Sequence, residues 1–230
     1  MTNPDRGDWI QTYTGKCFYP LDPRADDIDI VDIAHALSLI TRFSGHASRH
    51  YSVAEHSILV ACHVAQEDPD PRVVLAALLH DASEAYLCDV PRPLKMMPEM
   101  AAYRAMEIAV EFVIAAKFGV PWPLPAIVKV HDERALATEY RDLVPVKSVP
   151  WNLRATPWED MPAGCMSSPT RSLEPMFDEE WRLRVFQDMT RLEHLFLAMV
   201  RHLTGDTTIA VSEWDAEAAA RLLRNVSLPT

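Results

Sequence analysis

The sequence predicts an all-α fold, a compact helical bundle carrying one Pro- and Trp-rich insertion. Three observations predict it. Apolar residues recur at helical spacing along most of the chain, and helix caps alternate with Pro and Gly stops. Only two short pieces, around Cys17 to Leu21 and Thr207 to Val211, read as strand. With 230 residues, 49% of them hydrophobic, the chain can bury one sizeable core, so 1–230 reads as a single domain. Its core is expected over about 28–141 and in C-terminal helices over 177–225.

Asp29 is placed to cap a first helix with the stripe Ile30, Ile33, Ala34, Leu37 and Ile40, ending near Gly45. Ser52 and Glu55 form a capping-box pattern that starts a second, running to about Gln66. Pro71 suits the first turn of a third, expected to run through His80 and Glu84 and to stop before Pro91 and Pro93. A fourth spans Met100 to Phe118, with Met106, Val110, Val113 and Ile114 on one side and Gly119 and Pro121 as its stop. The fifth runs from about Leu124 to Tyr140. Residues 144–175, rich in proline and holding Trp151 and Trp158, read as a loop or lid. Helical period resumes at Trp181, Val185, Met189, Leu192, Phe196, Met199 and Leu203, and Ser212 can cap a short last helix.

The net charge of −11 disfavours a broad grip on extended nucleic acid and leaves room only for a local basic pocket suited to one small phosphate compound. Cys17, Cys62, Cys88 and Cys165 show neither metal-site nor disulfide-framework spacing. The start, MTNPDRGDW, has no apolar signal core, and the run Val73 to Leu79 is far too short to cross a bilayer. The expectation is a cytoplasmic protein, off the membrane, with a small-molecule partner; a homo-oligomer is also expected.

Several ionisable residues sit where helices should pack. His56 falls at helical spacing with Val53 and Val60, His80 and Glu84 are i and i+4, and Asp132 recurs with Val128, Ala135 and Glu139. His56 taken alone reads as a satisfied core histidine. Together, such groups are costly to bury unless something compensates their desolvation. A divalent ion is the simplest compensation, and two imidazoles with two carboxylates suit Mn, Co, Fe, Ni or Zn.

His56, the pair His80-Asp81 and the distant Asp132 resemble the H…HD…D signature of the HD-domain metal-dependent phosphohydrolases, a helical superfamily. The stretch HDASEAYLCDVPRPLK, preceded by SVAEHS and followed by DERALATE, is most similar to 5′-deoxynucleotidase-like members and small deoxynucleoside triphosphohydrolases. The resemblance covers roughly 28–141. It implies one divalent transition metal held by His56, His80, Asp81 and Asp132. Glu84 is the candidate to orient or deprotonate the attacking water. Asp89 is implied to reach the sugar hydroxyl or organise the phosphate, its alternative being a turn-forming residue.

Arg42-Phe43 occupies the place where relatives carry an Arg-aromatic pair for phosphate and base; Phe43 can stack but cannot donate a hydrogen bond. Lys95 and Lys129 are phosphate candidates or solvated surface lysines. His35, His46, His50, His63 and His131 read as packing, turn or supporting residues, which favours one metal over two. The expected reaction converts a deoxynucleoside monophosphate to nucleoside and phosphate, or a triphosphate to nucleoside and triphosphate. An HD-fold di-iron oxygenase and a non-catalytic nucleotide-binding regulator are the alternatives.

Overall fold

The computed structural model describes residues 6–159 and 189–226. Among these the fold is all-α, a bundle of helices α1 (Ile30–Leu39), α2 (Val53–Glu67), α3 (Pro71–Leu78), α4 (Glu84–Leu87), α5 (Arg92–Lys95), α6 (Ala101–Phe118), α7 (Ala126–Leu143), α8 (Met189–Thr204) and α9 (Glu213–Leu222). A two-stranded antiparallel hairpin, β1 (Ile10–Gln11) and β2 (Cys17–Phe18), pairs Ile10 with Phe18.

The caps read from the sequence are in place. The Asp29 carboxylate accepts from the Val31 N–H at 3.0 Å and starts α1. The Ser52 hydroxyl accepts from the Glu55 N–H at 3.1 Å and starts α2, and Gly119, at φ 66°, closes α6 in the left-handed conformation. α2 is the centre of the bundle, packed against α1, α3, α7 and α8 and buried around most of its circumference. That is why it reads as near-continuous apolar sequence, and why each buried Val, Ile or Leu on it contributes about 1.5–3 kcal/mol. α8 closes the bundle over α1, α2 and α3, with Leu192, Leu195, Phe196 and Met199 inward.

Three expectations are corrected. α1 ends at Leu39 rather than near Gly45, because the following residues pair across a loop: Val53 N–H donates to Ile40 O at 3.0 Å and Arg42 N–H to Tyr51 O at 2.8 Å. Residues Thr207 to Val211 form no strand; the Asp206 carboxylate accepts from both the N–H and the hydroxyl of Thr208 and folds a turn there. α3 stops at Leu78, before the His80-Asp81 pair. The readings placed on Trp181, Val185 and Cys165, and on 160–175 of the insertion, lie outside the described residues. No helix among the described residues is long and apolar enough to cross a membrane.

Candidate metal centre

α3 ends just before the site and does not run on through His80 and Asp81. Instead the chain tightens: Ala82 N–H donates to Leu79 O, Glu84 N–H to Asp81 O and Tyr86 N–H to Ser83 O, each at 3.0 Å. The His80 ring takes the carbonyl freed at Ala77, with Nδ1 2.8 Å from its oxygen. His80 Nε2 and Asp81 Oδ2 lie 3.2 Å apart.

His56 from the middle of α2 faces them. Its Nε2 lies 3.2 Å from His80 Nε2 and 3.5 Å from Asp81 Oδ2. Asp132 from α7 adds Oδ1 at 3.4 Å from His56 Nε2 and 3.9 Å from His80 Nε2. His56, His80 and Asp81 form a largely buried cluster with ligand atoms close enough to hold a metal ion, and Asp132 faces the same imidazoles. Lys129 binds the other carboxylate oxygen, Oδ2, at 2.7 Å, which turns Oδ1 inward.

The hydrogen bonds fix the tautomers. Ala77 O can only accept, so His80 Nδ1 carries the proton. On His56, Nδ1 sits 2.5 Å from Glu139 Oε1; burial opposes the Glu139 charge, but Arg42 and His56 hold its carboxyl down at about 2, so it accepts. Neutral rings then aim two Nε2 lone pairs at each other across 3.2 Å, which is repulsive unless positive charge lies between them. The same demand appears in the proton affinity of His56. Burial and Arg42 oppose its protonation, yet Glu139 and Asp132 push it up to about 9. Asp81 and Asp132 are held well below the usual carboxylate range by the two imidazoles, against their burial. The His56, His80 and Asp81 cluster could hold a divalent ion, its separations of 3.2–3.5 Å being those of donors about 2.1 Å from one ion.

Around these four residues the other candidates divide. Glu84 is buried beside the centre, and its Oε2 has no hydrogen-bond partner among the described residues. Burial, then the charges of Asp81 and Asp89, raise its carboxyl well above the ordinary range. Asp89 is half-buried and shifted upward, chiefly by burial. Arg42 is drawn inward, donating to Asp81 Oδ2 at 3.4 Å and to Glu139 Oε2 at 3.2 Å. Phe43 follows it in a left-handed conformation, φ 57°, as does Ser44 at φ 51°. Lys95 is half-buried and donates to Glu107 at 2.6 Å. Lys129 is mostly exposed apart from its bond to Asp132.

Two residues with evident roles in this geometry carry no assignment from the sequence. Glu139 accepts from His56, from the Tyr51 hydroxyl at 2.8 Å and from Arg42, and both Glu139 and Tyr51 are fully buried. Its signal is the α7 stripe, since Glu139 lies two turns beyond Asp132. Of the remaining histidines, His35 pairs with Glu193 at 3.0 Å, His46 and His50 are exposed, and His63 and His131 gather around Trp158.

No protein-family model matches the chain. It is 46% identical over 136 residues to the uncharacterized protein YfdR of Escherichia coli (strain K12), a match that covers 59% of this chain and 72% of that protein. The chain belongs to the YfdR family. A second relative, the uncharacterized protein RCAP_rcc00048 of Rhodobacter capsulatus, is 38% identical over 125 residues, 53% of this chain and 63% of that protein. Neither YfdR nor this second relative has a name that states an activity, so kinship fixes the family and the chemistry rests on the site.

Proposed function

We propose that the chain is an HD-type metal-dependent phosphohydrolase that releases inorganic phosphate from deoxynucleoside monophosphates. The observation that carries this reading is the convergence of His56, His80, Asp81 and Asp132 beside a buried Glu84 whose Oε2 is unpartnered. A divalent ion held by those four residues supplies Lewis acidity to a phosphate oxygen and makes water a better nucleophile. Glu84, buried and one turn from the ligands, is the group to take or hold the proton of the attacking water. Glu139 and Ala77 O hold the two imidazoles in the tautomer that leaves Nε2 open.

The charge pattern favours a monophosphate over a triphosphate. Arg42, Lys95 and Lys129, the cations proposed for phosphate, are each already paired with a carboxylate. Glu84, Asp89 and Glu111 surround them with carboxyls whose ionisation burial and neighbouring carboxylates already oppose, so further negative charge from extra phosphates would be opposed in the same way. A di-iron oxygenase is disfavoured because His56, His80 and Asp81 are the one group of three or more possible ligands found among the described residues.

The test is a panel of deoxynucleoside mono- and triphosphates incubated with Mn- or Co-loaded protein, with products separated by chromatography. The expected products are nucleoside and phosphate. Glu84→Gln should retain metal and lose at least about a hundredfold in turnover. A Glu84→Gln variant with wild-type turnover would remove Glu84 from the reaction, and release of triphosphate would overturn the monophosphate assignment.

A further inference from the structure

We propose that Trp151, facing Phe43, is the stacking shelf for the planar ring of the substrate and a determinant of which nucleotides the site accepts; this rests on the nucleotide reading above. The Trp151 indole stacks on Tyr140 with centroids 4.5 Å apart and planes 24° apart. It meets Phe43 at 6.0 Å and 45°, a tilted pair rather than a closed stack. Despite these two neighbours Trp151 remains 45% exposed. One face is therefore supported by Tyr140 while much of the ring still meets solvent, the condition in which an aromatic ring gains by receiving another flat group.

A half-exposed tryptophan alone means little, since single apolar residues are common on protein surfaces. The chain positions of its partners give this one its meaning. Phe43 directly follows Arg42, which donates to the ligand Asp81. Tyr140 directly follows Glu139, which holds the ligand His56. The distances give the path: Arg42, bonded to Asp81, has its guanidinium 5.6 Å from the Phe43 ring centre, and that ring lies 6.0 Å from Trp151.

The backbone points the same way. Phe43 and Ser44 both adopt φ values near +55°, 57° and 51°, which non-glycine residues rarely take in succession. Such strain persists where the surroundings hold it, and it gathers at binding sites. Here it turns Phe43 toward Trp151 while Arg42 points inward. The Arg42 guanidinium lies 5.6 Å from the Phe43 ring centre, which links the phosphate end of the site to the aromatic end.

The experiment compares wild type, Trp151→Ala and Trp151→Phe on deoxynucleoside monophosphates and on deoxyribose 5-phosphate, which carries no base. Bound metal and melting temperature are measured for each. Trp151→Ala should raise KM for the nucleotides about tenfold, within the range set by base–aromatic stacking, and leave KM for the sugar phosphate and the metal content unchanged. Trp151→Phe should recover most of the loss. Equal changes for both substrates, or none for the nucleotides, would overturn the shelf while leaving the phosphohydrolase reading intact. If wild type hydrolyses no nucleotide, that reading fails, and calorimetry with the same nucleotides decides the shelf: binding lost in Trp151→Ala supports it, and no binding to wild type overturns it.

Discussion

Glu139 does for His56 what the Ala77 carbonyl does for His80: each accepts a hydrogen bond from Nδ1–H, which keeps the proton there and leaves Nε2 without one. A carboxylate does this more strongly than a carbonyl, because its charge also raises the basicity of the ring. Glu139→Ala should therefore weaken Mn or Zn binding about 10- to 100-fold by titration calorimetry, with Glu139→Gln between that variant and wild type. Unchanged affinity in Glu139→Ala would show that the ring is held by its packing alone. The residues that converge were legible, since His56 and Asp132 sit on helix stripes that should be apolar and His80-Asp81 directly follows an apolar run. Glu139 was visible on the same α7 stripe, but its function depends on Tyr51 and Arg42 meeting it from a loop 88 and 97 residues away in sequence. No local pattern records that encounter.

At the scale of elements, the caps at Asp29, Ser52 and Ser212 and the stop at Gly119 were readable because each is a local bargain between a side chain or a left-handed glycine and nearby backbone. The break in α3 was not, because its causes are the Ala77 carbonyl taken by His80 and the convergence of ligands on one point. The insertion was likewise read only as loop or lid, yet Trp158 docks: it is buried, its backbone N–H donates to the Thr138 hydroxyl at 2.9 Å, and its ring stacks on His63 at 3.6 Å. Burial first, then the nearby His131, lowers His63 to about 3. The folded protein therefore keeps His63 neutral at pH values where the unfolded chain protonates it, below about 6.5. Stability from this group is full above that value and declines as pH falls toward 3. By pH 5 the loss should be about 2 kcal/mol. His63→Phe, which preserves a ring against Trp158, should be spared it, so denaturant midpoints of the two proteins between pH 7 and 5 should diverge in that sense. Parallel midpoints would mean that His63 is as accessible to protons in the folded state as in the unfolded one.

At the scale of the molecule, the centre joins parts of the bundle that are far apart in sequence. His56 comes from α2, His80 and Asp81 from the turn after α3, and Asp132 from α7. On the proposed reading, an ion held by all four would tie these elements together, and because the set does not exist in the unfolded chain its binding energy would add to folding energy. At a free-metal concentration a hundred times the dissociation constant, that addition is about 2.7 kcal/mol. For a chain of this size it corresponds to a rise in melting temperature of about 5–10 °C. Scanning calorimetry after chelator treatment and after Mn or Zn loading should show that difference. Asp132→Asn should show little of it: it removes the charge that α7 contributes while keeping the shape of the side chain. A metal-dependent shift of the same size in Asp132→Asn would mean that His56, His80 and Asp81 hold the ion without α7. Equal melting temperatures for loaded and chelated wild type would mean that the lone pairs converging at 3.2 Å are neutralised by a proton on His56 and need no metal to hold the fold.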